Sequence, residues 1–128
     1  MSTRCNIKVI VDGETICWLY HHHDGYPEGV GANLAEFLHK CNDKREYVPM
    51  FFNYVINDMI KGKVTWVDGT PDDEYEWTGG QHGDIEYLYT IEYAGRTVTL
   101  NVEGIYRTED NAELYRYEGK TAPWEVEQ

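Results

Sequence analysis

The sequence YHHHDGYPEGVG at residues 20–31 divides this 128-residue chain, and we call it the hinge segment. It contains three consecutive histidines, Asp24, Pro27 and three glycines. Glycine and proline at this density favour a sharp change of chain direction. The hinge segment is therefore predicted to join an N-terminal β-hairpin to the first helix.

Residues 4–23 have the pattern of a β-hairpin. Hydrophobic and polar residues alternate along residues 5–11, and Asp12-Gly13 suits the two positive-φ positions of a type I′ turn. A regular two-residue turn would pair Val9 with Ile16, which sets the faces of both strands. One face would carry Cys5, Ile7, Val9, Ile16, Trp18 and Tyr20. His21 and His23 would lie on the opposite face.

Two amphipathic helices are predicted after the hinge segment. Apolar residues at positions 30, 34, 37, 38 and 41 recur at the spacing of one helical face. A second apolar stripe runs from Val48 to Ile60, with Pro49 in the first turn and Gly62 as the C-terminal stop. Both helices need an apolar surface to cover, and the hairpin provides one.

The second half of the chain returns to β-structure. Residues 85–93 and 96–106 are predicted to form a long hairpin around Ala94-Gly95, with one apolar face and one polar, acidic face. Residues 76–78 and 115–117 are candidates for short additional strands, and Trp124 is expected to anchor the tail.

The element order ββααββ(β) predicts one α+β domain. Its architecture would be an antiparallel sheet of four to five strands with two helices packed on one face. Within the domain we distinguish the hairpin at 1–23, the loop and helices at 24–63, the acidic loop and long hairpin at 64–107, and the tail at 108–128.

Several classes of protein are disfavoured by composition. The chain has no apolar run of about 18 residues, so no membrane span is predicted. Its N-terminal residues lack the pattern of a signal peptide, so a cytoplasmic location is expected. The three cysteines, Cys5, Cys17 and Cys41, are odd in number and have no C-x-x-C spacing, which favours buried thiols over disulfides or a zinc site. No catalytic residue and no cofactor are predicted.

Negative charge is concentrated in the second half of the chain. Residues 1–63 carry 8 acidic and 7 basic side chains, whereas residues 64–128 carry 15 and 4. This balance disfavours direct binding to nucleic acid and favours a basic protein surface as the partner. The predicted acidic binding surface consists of Asp68, Asp72, Asp73, Glu74, Glu76, Glu86, Glu92 and Glu103.

The hinge segment offers an alternative site of the metal-binding class. His21 and His23 are two residues apart on one strand, roughly 6.6 Å between their Cα atoms, so both imidazoles can reach one ion. Asp24 would add a carboxylate, and His39 or His82 would complete the ligand set. Histidines at a strand end also commonly hydrogen-bond to nearby groups without any metal.

The glycines of the hinge segment admit a second alternative, a nucleotide site. Gly25, Gly29 and Gly31 precede a helix and would direct backbone N–H groups at a phosphate. Asp24 and Glu28 would repel such an anion, and glycines also serve simply to turn the chain. In either alternative the hinge site comprises His21, His23, Asp24, Tyr26 and Glu28.

Two short motifs resemble a known group of proteins. STRCNI at residues 2–7 and HDGYPE at residues 23–28 are similar to sequences in a family of small uncharacterised proteins of phages and bacterial mobile elements. The resemblance covers about the first forty residues. It implies a phage or bacterial origin and a bacterial host cytoplasm, and it brings no known activity.

Together these observations predict a non-enzymatic acidic binding protein. We expect a phage-type inhibitor or adaptor, in the manner of a nucleic-acid mimic or anti-defence protein, that acts on a basic host protein such as a nucleic-acid-binding protein. The alternative is a metal-dependent or nucleotide-binding protein whose site lies in the hinge segment.

Overall fold

The structure is a computed structural model that describes residues 2–44 and 52–119, with the side chains of 52–54 excepted. No helix among these residues combines the length and hydrophobicity that a membrane crossing requires. Six strands form one sheet: β1 (Cys5–Val11), β2 (Glu14–His21), β3 (Glu76–Thr78), β4 (Tyr87–Ala94), β5 (Thr97–Gly104) and β6 (Ala112–Glu118).

The sheet is mixed, with the strand order β3-β2-β1-β4-β5-β6. β1 and β4 are parallel, whereas the other neighbours are antiparallel. The predicted antiparallel sheet of four to five strands with two helices on one face was therefore wrong. The alternation of apolar and polar residues identifies the face of the sheet on which a side chain lies, but it does not identify which strand pairs with which. The parallel pairing of β1 with β4 joins the two predicted hairpins into one mixed sheet.

The helical layer contains one long continuous segment, residues 27–42. A π-helical turn, Pro27–Gly31, runs without a break into α1 (Ala32–Asn42), and Pro27 begins it where no intrahelical N–H bond is lost. Of the second predicted helix the structure describes α2 (Phe52–Ile60), while Val48, Pro49 and Phe51 lie outside the described residues. The predicted stop at Gly62 is confirmed by its φ of +82°.

A β-bulge in the first hairpin reverses the predicted faces. Asp12 and Gly13 have positive φ, as predicted for the turn, but the pairing shifts after Ile10↔Thr15 so that Val9 lies opposite Cys17. Ile16 is the extra residue. Because one inserted residue exchanges the faces of every residue beyond it, His21 lies opposite Cys5 in the core and Trp18 lies on the other face.

The second hairpin keeps its predicted faces although its turn differs. The turn residues are Gly95 and Arg96, since Ala94 pairs with Thr97. Relative to a turn at Ala94-Gly95, each partner moves by two residues, which leaves the faces unchanged. The predicted apolar face of β4 and β5 is therefore confirmed.

The core lies between the helices and one face of the sheet. Its sheet side includes Ile7, Leu19, Tyr89, Ile91 and Leu100, and its helix side includes Val30, Leu34, Phe37, Leu38, Val55, Ile56 and Met59. We call the other face of the sheet, which points away from this core, the open face. Its side chains on β4, such as Leu88, Thr90 and Glu92, are half-buried. β6 closes one edge, and the tail with Trp124 lies outside the described residues.

Candidate functional site

The most chemically distinctive contact joins the end of β2 to the acidic loop. His21 Nε2 lies 2.7 Å from Asp72 Oδ2, and both side chains are fully buried. The bulge at Ile16 turns His21 inward, and the loop before β3 brings Asp72 over it. Buried charged or polar groups are stable only when paired, so this contact fixes the loop to the sheet.

The acidic loop is shaped to place Asp72. The Asp72 N–H donates to the Val64 carbonyl at 2.9 Å, and an isolated bridge joins Thr65 to Pro71. Asp72 Oδ1 accepts the Glu74 N–H at 3.1 Å, which leaves Oδ2 for His21. The carboxylate is thus held at both oxygens.

A second histidine–carboxylate pair lies beside the first. His23 Nδ1 is 2.6 Å from Glu74 Oε1, and both side chains are partly accessible to solvent. The nearest ligand atoms of His21, Asp72 and Glu74 all lie within 4.8 Å of one another. We call these four residues, His21, His23, Asp72 and Glu74, the His–carboxylate cluster.

Aromatic rings surround the buried end of this cluster. The Tyr75 and Trp66 rings lie 4.7 and 5.8 Å from the His21 ring, both edge-on. Burial and the nearby Asp72 carboxylate raise the pKa of Tyr75 well above its usual value. Among the described residues, His21 Nδ1 and the Tyr75 hydroxyl have no hydrogen-bond partner.

The remaining hinge residues do not join the cluster. Asp24 has a φ of +55°, and its Oδ1 accepts a 3.3 Å hydrogen bond from the Tyr26 hydroxyl. Tyr26 lines a separate cavity of about 300 Å³, together with Thr3, Glu86, Tyr87, Tyr106 and Arg107. Glu28 is exposed. The predicted site His21, His23, Asp24, Tyr26 and Glu28 is therefore divided, with only the two histidines in the cluster.

Three backbone N–H groups of the hinge segment already donate hydrogen bonds within the chain. Gly25 donates to the Thr3 carbonyl, Gly29 to Tyr26 and Val30 to Asp24, each at 2.9 Å. These bonds compete directly with a phosphate, so the arrangement disfavours the nucleotide alternative.

The glycines of the hinge segment have a steric role. A methyl group on Gly25 would lie 2.9 Å from the Thr3 carbonyl oxygen and 3.0 Å from Cys5 Cβ. A methyl group on Gly31 would meet Leu114 and Tyr89. These residues permit close approach of the hinge segment to the sheet.

The other predicted ligands and nucleophiles are placed elsewhere. His39 pairs with Asp43, and His82 bonds to Thr78 and stacks on Tyr20, with ring centroids 4.2 Å apart. The three cysteines are buried and form no disulfide with one another. Burial raises the pKa of the Cys17 thiol to about 11, and burial together with the Asp72 charge raises that of Cys5 further. A reactive thiolate is therefore disfavoured.

The predicted acidic surface separates into two groups. Asp72 is buried, so its assignment to the surface was wrong, and Glu74 is bound to His23. The other six form no ion pair with any residue that the structure describes. These six are Asp68, Asp73, Glu76, Glu86, Glu92 and Glu103.

Sequence reasoning missed the partners of the hinge histidines. Asp72 and Glu74 were interpreted only as part of an acidic surface, and Tyr75 and Trp66 were not considered as their surroundings. The matching spacing was the available signal, because His-x-His and Asp-x-Glu both place two ligands two residues apart. Neither motif specifies the other as its partner.

Comparisons with known proteins give no further assignment: no family model matches the chain, and searches of curated proteins and of solved structures find no significant similarity.

Proposed function

We propose that the protein is a non-enzymatic binding protein whose open face docks onto a basic surface of a partner protein. The observation that carries this proposal is the row of unpaired glutamates on that face. Glu92 and Glu103 lie on β4 and β5, about 13 Å apart along the strands, and Glu76 lies on β3. A partner rich in Lys and Arg would supply the missing counter-charges.

The cations of the open face are already engaged within the chain. Lys8 lies over the Trp18 ring, with its Nζ 5.4 Å from the ring centroid. Arg116 is held between Glu113, at 2.6 Å, and Glu118, at 3.0 Å. The strands of the open face carry these two cations against five glutamates, so a partner would meet a negative face. The five are Glu76, Glu92, Glu103, Glu113 and Glu118.

The open face also carries apolar groups that suit a protein interface. Trp18 and Leu88 are half-buried, and Ile16 is 39% exposed because the bulge directs it outward. Aromatic anchors surrounded by charged residues are typical of protein-binding surfaces. Together with a net charge of −12, they favour a basic protein over nucleic acid as the partner.

The resemblance to phage and mobile-element proteins suggests the biological setting of this proposal. An acidic sheet surface matches the basic channel of a nucleic-acid-binding protein, so we propose an inhibitor or adaptor that occupies such a channel in a bacterial host cell. Metal binding, the alternative for the hinge segment, would be a separate property of the His–carboxylate cluster.

The proposal is tested by affinity capture from bacterial lysate over a series of salt concentrations. We expect basic proteins that bind the wild-type chain at low salt to be released as ionic strength rises. The double variant Glu92→Gln/Glu103→Gln should capture much less of the same proteins.

The matched control is Glu14→Gln/Glu109→Gln, which removes two exposed charges away from β4 and β5. This variant should capture as much as the wild type. Equal capture by both double variants, or capture that is insensitive to salt, would contradict the proposal.

A further inference from the structure

We propose that the His–carboxylate cluster is a binding site for a divalent transition-metal ion such as Zn²⁺. The site would use His21, Asp72 and Glu74 as ligands, with His23 completing it from the solvent side. It is independent of the open face and would operate whether or not that face binds a protein.

The donor atoms lie close to the arrangement that such an ion needs. Zn²⁺ binds imidazole nitrogen and carboxylate oxygen at about 2.0–2.2 Å, so the ligand atoms of a tetrahedral site are about 3.4 Å apart. The ligand atoms of His21, Asp72 and Glu74 lie within 4.8 Å of one another. Side-chain rotations that shorten the longest of these distances by about 1.4 Å, and that open the 2.7 Å contact of His21 with Asp72 by about 0.7 Å, would place the three donors around one ion.

His23 lies outside the three residues whose ligand atoms are within 4.8 Å of one another, and it would become the fourth ligand by turning towards them. Its Nδ1 lies 2.6 Å from Glu74 Oε1, so this imidazole already faces the carboxylate. His21 is the last residue of β2, and His23 follows two residues beyond it. Asp72 and Glu74 have the same two-residue spacing in the loop. Two histidines and two carboxylates give a closed four-coordinate set.

The buried pair is incompletely satisfied without a cation. If His21 is neutral, the fully buried Asp72 carboxylate has no positive partner among the described residues, and His21 Nδ1 has no donor. If His21 is protonated, its Nδ1–H has no acceptor. Either state leaves one buried group uncompensated, which is costly. A divalent ion between His21 Nε2 and Asp72 would neutralise the buried carboxylate, while His21 Nδ1 would still have no partner among the described residues.

The donor chemistry selects the class of metal. Nitrogen ligands favour Zn²⁺ and its neighbours in the first transition row, while Mg²⁺ and Ca²⁺ prefer sets made only of oxygen. The Tyr75 hydroxyl beside His21 is a further buried group without a partner in the described part of the chain, and it could hydrogen-bond a ligand or a bound water.

The test uses the full chain, purified without a polyhistidine tag and stripped with a chelator. Zn²⁺ is then titrated against a chromophoric competitor, with Mg²⁺ as the comparison ion. We expect one equivalent of Zn²⁺ and no detectable Mg²⁺. Less than a tenth of an equivalent of Zn²⁺ would overturn the proposal.

Variants at the accessible ligands keep the test independent of folding. Glu74→Gln and His23→Gln should each weaken Zn²⁺ binding by about tenfold or more. Their matched controls are Glu14→Gln and His39→Gln, at positions outside the cluster, where Glu14 is exposed and His39 instead pairs with Asp43. The controls should bind Zn²⁺ as the wild type does. If the controls lose as much affinity as the ligand variants, the ion binds elsewhere and the assignment fails.

Discussion

His21 and Asp72 are 51 residues apart in the chain, yet their side chains meet in the core at 2.7 Å. Removing one partner leaves the other buried without compensation, which typically costs about 3–5 kcal/mol. Asp72→Ala should therefore lower the free energy of unfolding by about that amount, measured by urea denaturation in the presence of EDTA. Asp73→Ala, at an exposed neighbour, should change it by about 0.5 kcal/mol or less. Equal losses in the two variants would show that the pair does not stabilise the fold.

Because Ile16 is the extra residue of the β-bulge, we expect the fold to tolerate its deletion. Ile16 has no partner on β1, so its removal would leave Ile10↔Thr15 and Val9↔Cys17 as a regular ladder and keep His21 in the core. We expect the Ile16 deletion to change the free energy of unfolding by about 1 kcal/mol or less. Deletion of the buried Leu19 should instead prevent folding, because it moves His21 to the open face. Circular dichroism during denaturation distinguishes the two, and a fold lost in both would contradict the assigned register.

Close packing at the hinge segment predicts sensitivity to a single methyl group. Gly25→Ala would place a Cβ 2.9 Å from the Thr3 carbonyl oxygen, a backbone atom that cannot move alone. The expected loss is about 1–3 kcal/mol, measured by thermal and urea denaturation. Gly79→Ala is the control, since nothing lies within 4 Å of its added carbon. A Gly25→Ala protein as stable as the control would argue against this packing.

Ionisation of Tyr87 should lower the free energy of unfolding in alkaline solution. Its hydrogen bond to Asp110, at 2.6 Å, together with burial raises its pKa to about 12. A tyrosine in the unfolded chain ionises near pH 10, so the folded chain holds the proton more tightly. The resulting stabilisation is complete below about pH 10 and is lost as the pH rises towards 12. Asp110→Asn should move the Tyr87 pKa towards 10, as measured by NMR titration with Tyr87→Phe to assign the signal. An unchanged pKa would exclude Asp110 as its cause.

The cysteine thiols should react with an alkylating reagent much more slowly in the native chain than in the unfolded chain. All three are buried, and the raised pKa values of Cys5 and Cys17 keep those thiols protonated near neutral pH. Alkylation at pH 8 should leave the native protein unmodified over minutes, whereas denaturant should release three reactive thiols. Rapid native labelling of Cys5 would contradict the packing around His21.

Local elements of the fold were predictable because their causes are local. The Asp12-Gly13 turn, the stop at Gly62 and the apolar face of β4 and β5 follow from backbone preferences and alternation within a few residues. The mixed sheet was not predictable in this way. Nothing in residues 5–11 specifies that β4 is their second neighbour, since that choice depends on how helices and loops fill the space between.

The candidate site was predictable only in part, for a related reason. The sequence identified His21 and His23, but a regular hairpin put them on the wrong face because no residue type marks the bulge at Ile16. The partners Asp72 and Glu74 come from a loop whose sequence indicated only an exposed acidic surface. Pairing across 51 residues is a tertiary contact that neither segment encodes alone.

The central position of β1 has a consequence for synthesis of the chain. β2 follows within a few residues and closes one side of β1, but the other side awaits β4, because Cys5 pairs with Tyr87 and Val11 with Tyr93. Until β4 leaves the ribosome, Ile7 and Val9 border an unpaired edge of the kind that promotes aggregation. Such distant contacts also slow folding. The N-terminal hairpin should therefore be prone to aggregate when expressed by itself.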